Sequence, residues 1–167
     1  MIREFIYPIA LFRGVYEKIL VPVDESELSE RTVNHALEMA EKFSSELHVI
    51  YVADDRSESH LSKSVSELSL DAPERREIGE QRKQTGKKLI EAVIKRAHER
   101  GIDTEHVIIG GNPAEVITEY ATKEGMSVIA IGAKGRSAVG KFLLGDVAGK
   151  VARHATMPVL LVRPNEN

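Results

Sequence analysis

The chain reads as an α/β domain: a doubly wound, five-stranded parallel sheet with helices on both faces. Three observations predict it. Short β-type runs alternate with helical patterns from end to end. Three of those runs are nearly continuous Val, Ile and Leu, the mark of parallel strands covered on both faces. The order β-α-β-α-β-α-β-α-β then gives one parallel sheet through right-handed crossovers.

The first strand is Lys18 to Val23 (KILVPV). A helix follows from Leu28 to Phe43, where Leu28, Val33, Ala36, Leu37, Ala40 and Phe43 recur mainly at three- and four-residue spacings, with Ser26 placed as the N-cap. The second strand is Leu47 to Val52. Asp54 to Arg76 is rich in Ser, Glu and Arg and contains Pro73, so it reads as a solvated linker or as a lid over the strand ends. The second helix runs from about Ile78 to Arg100 on a seam of Leu89, Ile90, Val93, Ile94 and Ala97, with Gly101 at C′. After a third strand at Glu105 to Ile109, Asn112-Pro113-Ala114-Glu115 opens the third helix. Asn112 is the cap, Pro113 takes the first helical position, and Glu115 reaches back to the cap's N–H. The fourth strand is Val128 to Ile131. A fourth helix starts near Asp146, buries Val147, Val151 and Ala155, and stops at Pro158 before the fifth strand, Val159 to Val162. Such a sheet reverses its winding once, and ligands bind outside the carboxyl ends of the strands at the reversal, here between the first and fourth strands.

Composition narrows the function. The 167 residues suit one domain with an ordinary core. Lys and Arg number 23 against 26 for Asp and Glu, a net charge of −3 that speaks against a nucleic-acid partner. The absence of cysteine excludes disulfides, thiol redox chemistry and thiolate zinc sites. Histidines at 35, 48, 60, 98, 106 and 154 never take HxxxH or HExxH spacing, so no metal site is expected. No apolar run approaches the ~20 residues that span a bilayer, so no membrane contact is expected. The apolar N-terminal stretch is broken by Pro8 and followed by Arg13. It reads as an extension over residues 1–15, preceding a domain at 16–164, and not as an export signal, which predicts a cytoplasmic location.

The segment that carries chemistry is Ile131 to Val147, IGAKGRSAVGKFLLGDV. Its glycines permit positive φ and close approach of a ligand to the backbone. The helix that follows aims unpaired N–H groups and its positive dipole end at the same space. Lys134, Arg136 and Lys141 add charge, which makes an anion site suited to phosphate. Gly135-x4-Gly140-Lys141 nearly spells a P-loop, but Phe142 stands where Ser or Thr must ligate Mg²⁺, and no GxGxxG is present.

Four ordered motifs resemble the universal stress protein family. Gly132-x2-Gly135-x9-Gly145 is similar to its nucleotide-binding signature, and KILVPVDES at 18–26 to its opening strand and Pro-x-Asp turn. Gly111-Asn112-Pro113 resembles its G-x-P helix start, and MPVLLV at 157–162 its last strand. The resemblance implies strand order 3-2-1-4-5 and, in members that bind ATP, an adenine and ribose site at Pro22, Val23, Asp24 and Val52. There Asp24 would accept ribose hydroxyls, and the Val52 backbone would meet the adenine edge. Phosphates would meet the N–H groups of Gly132, Gly135, Gly145 and Val147, with Ala133, Lys134 and Arg136 in the loop. It also implies a homodimer through the last strand, Val159–Val162, whose free edge needs a partner.

One residue departs from that pattern. Asp146 stands where binding members usually carry Ser or Thr, and Ala148 lacks a hydroxyl often found beside it. An ionised carboxylate cannot donate to phosphate, and Asp is a strong N-cap that would fill the anion site itself. The basic loop residues, a bridging Mg²⁺ or a nucleotide with fewer phosphates would each offset the clash. Three functions follow: a stress-response module holding ATP or another adenine nucleotide, a nucleotide-independent dimeric interaction protein with the phosphate site blocked by Asp146, and a slow ATP hydrolase. No general base is evident beside the loop, so no catalytic residue is assigned.

Overall fold

The computed structural model describes residues 15–53, 72–134 and 144–164, with side chains from 77 onward in the second of these segments. The apolar N-terminal extension, most of the Asp54–Arg76 stretch and the loop containing Gly135, Arg136, Gly140 and Lys141 lie outside the described residues.

Five strands form one parallel sheet in the order β3-β2-β1-β4-β5. They are β1 (Lys18–Pro22), β2 (Glu46–Ala53), β3 (Thr104–Gly110), β4 (Val128–Gly132) and β5 (Val159–Val162). The helices are α1 (Glu27–Phe43), α2 (Ala72–Glu99), α3 (Pro113–Lys123) and α4 (Asp146–His154). This is the doubly wound order, with winding reversed between β1 and β4.

Alternation along the strands divides the core in two. Ile19, Val21, Leu47 and Val49 pack with Val33, Leu37, Ile90, Val93 and Ala97 beneath α1 and α2. Leu20, Ile50, Ile129 and Ile131 pack on the other face with Ala114, Ile117, Ala121, Ala148 and Val151 of α3 and α4. Central strands buried on both faces explain why their sequences are unbroken runs of Val, Ile and Leu.

The helix ends follow their local chemistry. Ser26 caps α1 by accepting from the Ser29 N–H at 3.1 Å. Gly101 takes φ +69° after α2, a left-handed conformation that glycine adopts without a Cβ clash. Asn112 caps α3 by accepting from the Ala114 N–H at 3.2 Å. Glu115 bonds the cap's side-chain amide at 2.6 Å, a variation on the expected contact with the cap's backbone N–H.

Two boundaries differ from expectation. α2 begins at Ala72, six residues before Ile78. Pro73 reads as a breaker, but it falls in the first turn, where the missing N–H had no intrahelical partner. At α4 the N-cap is Gly145, with no side-chain cap, and Asp146 is the first helical residue.

Candidate functional site

The site begins with a hydrogen bond that cannot form. The ladder from β1 to β2 runs to Pro22↔Ile50, whereas the ladder from β1 to β4 holds only Ile19↔Val128 and Leu20↔Ile129. Val23 donates its N–H to the Ile50 carbonyl at 2.9 Å. Backbone donors alternate sides along a strand, so the nitrogen of Pro22 faces β4 and has no proton to give. The strands part there, and a cleft of about 740 Å³ opens at the carboxyl ends, a volume typical of small-molecule sites.

Of the residues expected at a site, Pro22, Val23, Asp24, Val52, Gly132, Lys134, Asp146 and Val147 line this cleft. Ala133 and Gly145 do not. Both are buried, the Gly145 N–H donates to the Ala133 carbonyl at 2.7 Å, and the Ala133 N–H donates to Val162 at 2.7 Å. These bonds hold the base of the loop against β5, so the Gly145 N–H is already engaged within the chain. Gly135 and Arg136 lie outside the described residues.

Asp24 is both tethered and presented. Its Oδ1 accepts from the Ser26 N–H at 3.0 Å and the Ser26 hydroxyl at 2.5 Å, while its own N–H donates to Ser29 Oγ at 2.9 Å. That geometry fixes the turn between β1 and α1. Among the described residues, Oδ2 takes no hydrogen bond.

Neither described glycine of the motif, Gly132 or Gly145, takes a positive φ, and Gly132 acts through space instead. Gly145 sits at φ −59°. A Cβ on Gly132 would come within 3.1 Å of Leu28 Cγ, so its absence lets α1 close against the end of β4.

Asp146 is placed differently from its expected role. Its Oδ2 accepts from Lys150 Nζ at 2.9 Å, one turn along α4. Capping belongs to Gly145, so the carboxylate does not serve as the N-cap that would seal the helix end. The first-turn N–H groups of α4 have no intrahelical partners, and Val147 and Ala148 line the cleft beside Lys134.

Sequence reasoning missed the third wall. Ile78, Gln81, Arg82 and Thr85 of α2 also line the cleft, at the i, i+3, i+4 and i+7 spacing of one helix face. The signal was Gly86 within a helical pattern. A Cβ there would fall 2.8 Å from Tyr51 Cγ and closer still to Cδ1, so glycine lets α2 lie directly on the Tyr51 ring.

The universal stress protein family model matches residues 15–163. The chain belongs to that family. The universal stress protein MJ0531 of Methanocaldococcus jannaschii is 33% identical over 151 residues, covering 90% of this chain and 84% of the relative. The structure of MJ0577 from the same organism superposes with a TM-score of 0.75 at 26% identity, covering 92% of this chain and 99% of that one. Two more distant structures share the fold. A universal stress protein in complex with cAMP gives a TM-score of 0.61 at 21% identity, over 89% of this chain and 97% of that one. An Arabidopsis thaliana member with AMP bound gives 0.62 at 19%, over 89% and 92%. Among the described residues of this universal stress protein domain, no helix is long and apolar enough to cross a membrane.

Proposed function

We propose that this universal stress protein domain holds an adenine nucleotide in the cleft between β1 and β4, as a signalling or protective binding module and not a strong catalyst. The observation that carries the reading is the polarity of the cleft. Val52, Pro113 and Ile117 make its β2 and α3 side apolar, while Lys134 and the start of α4 make its β4 side suited to an anion. Asp24 sits between them in the turn that follows β1, with Oδ2 available to ribose hydroxyls. A base, a sugar and a phosphate match those three environments in that order. The AMP- and cAMP-bound relatives support the same ligand class.

Asp146 then tunes phosphate number. Lys150 offsets its charge, but the carboxylate still lines the cleft and repels added phosphates. Asp24 and Asp146 are held by Ser26 and Lys150, which favours retention over hydrolysis. Calorimetric titration of AMP, ADP and ATP, with and without Mg²⁺, is expected to show AMP binding at least as tightly as ATP. Asp146→Ser should strengthen ATP binding about three- to tenfold and leave AMP nearly unchanged, since each tenfold is about 1.4 kcal/mol. No binding of any nucleotide by either protein would end this reading in favour of a nucleotide-independent interaction module, and phosphate release from ATP would shift it towards a hydrolase.

We infer a homodimer as well. β5 is a sheet edge, and Leu160 on it is exposed. Two-fold pairing of Val159–Val162 with a second copy would cover both. Sedimentation of Leu160→Lys as a monomer beside a dimeric wild type is the expected result.

A further inference from the structure

α2 is longer than the sheet it covers. Its 28 residues reach about 42 Å at ~1.5 Å per residue, while the eight residues of β2 span about 26 Å. α2 ends beside the start of β3, so the surplus projects past the carboxyl ends of the strands and over the cleft. Its inner ridge can be followed in steps of four from Ile90 through Gly86 and Arg82 to Ile78. Ile90 and Gly86 are buried and pack the core, and Tyr51 lies against Gly86. One turn further, where an apolar residue would continue the ridge, stands the half-buried Arg82, with Thr85 beside it. That turn lines the cleft next to Tyr51, at the end of β2, and Val52 lines the same cleft from the α3 face of the sheet.

We propose that Arg82 is a base-recognising residue of this site, its guanidinium stacking on the face of the purine ring that lodges against Val52. The proposal rests on the nucleotide reading above. A guanidinium plane over an aromatic ring gains cation–π and stacking attraction, and the half-buried position strengthens both by excluding water. Arg82 has a partner within the protein besides. Stacking takes only one face of the plane, so that partner need not leave. Among the described residues, the assignment separates the two cations that line the cleft: Lys134 answers the phosphate end, and Arg82 the base.

Adenosine, which carries no phosphate, is the deciding probe. Calorimetric titrations of adenosine, AMP and ATP into wild type, Arg82→Ala and Arg82→Met should show both variants weakened about three- to tenfold, by a similar factor for adenosine and AMP. Met keeps the length of the stem, so a loss confined to Ala would mean stem packing and overturn stacking. Unchanged affinity in both variants would overturn it too. A loss absent with adenosine and growing from AMP to ATP would place Arg82 on phosphate instead. A wild type that binds none of the three would sink the nucleotide reading itself, and this assignment with it.

Discussion

The two ends of the sheet treat polar groups in opposite ways. At the amino end most are matched, although the buried Ser45 Oγ has no hydrogen-bond partner among the described residues. His48, buried on β2, has Nδ1 3.0 Å from the Tyr120 hydroxyl and Nε2 3.0 Å from Glu46 Oε1. Because the carboxylate can only accept, Nε2 carries the proton, and in the neutral ring Nδ1 then accepts from the Tyr120 hydroxyl. Lys18 approaches the other Glu46 oxygen at 3.9 Å, and its backbone N–H donates to Ser127. At the carboxyl end Pro22 interrupts the ladder, Asp24 leaves one oxygen without a hydrogen bond among the described residues, and a helix begins on a glycine without a side-chain cap. The amino end is stitched for stability, and the carboxyl end keeps groups for a ligand. A polar residue is therefore informative only once its partners are counted.

The sharpest break of that comparison is Gly86→Val. The added carbons meet the Tyr51 ring, and overpacking of this kind costs about 1–3 kcal/mol. Denaturant unfolding should show a loss of about 2 kcal/mol, and nucleotide affinity should fall as well because α2 is a wall of the cleft. Next comes Asp24→Ala, expected to weaken AMP about tenfold and to cost about 1 kcal/mol through the lost tether to Ser26. A variant that binds as tightly as wild type would return Asp24 to a purely structural role. The smallest effect belongs to the amino end. Tyr120→Phe should cost about 1 kcal/mol with no change in nucleotide affinity.

Tyr120 also gives a pH signature. Burial, and then the charges of Glu124, Glu105 and Glu46, raise its hydroxyl above the ordinary phenol value. The folded state thus holds this proton more tightly than the unfolded chain. Its contribution is complete below about pH 10 and is lost as pH rises through the folded value. Alkaline unfolding curves should therefore fall less steeply above about pH 10 for Tyr120→Phe than for wild type.

The sheet was legible because central parallel strands must be apolar on both faces, and β1, β2 and β4 show it directly. Ser26, Gly101 and Asn112 announced helix ends because capping is local chemistry. The cleft was legible at Pro22, Asp24, Val52 and Gly132, which the strand order brings together. The α2 wall was not, because Arg82 and Thr85 sit in a polar stretch whose inward face depends on the contact of Gly86 with Tyr51, a residue 35 positions away in the chain. The place of Asp146 was misread for a similar reason. Its type favours capping, but the bond from the Gly145 N–H to Ala133 fixes the helix start one residue earlier and turns the carboxylate to Lys150.

Amide chemical shifts of the isotopically labelled protein, followed as AMP is added, test the central claim most directly. Saturable shifts at Val23, Asp24, Val52, Thr85, Gly132 and Val147, with Glu46, His48 and Tyr120 unmoved, are the predicted result. Saturable shifts centred on the amino end, or none at any AMP concentration, would contradict it.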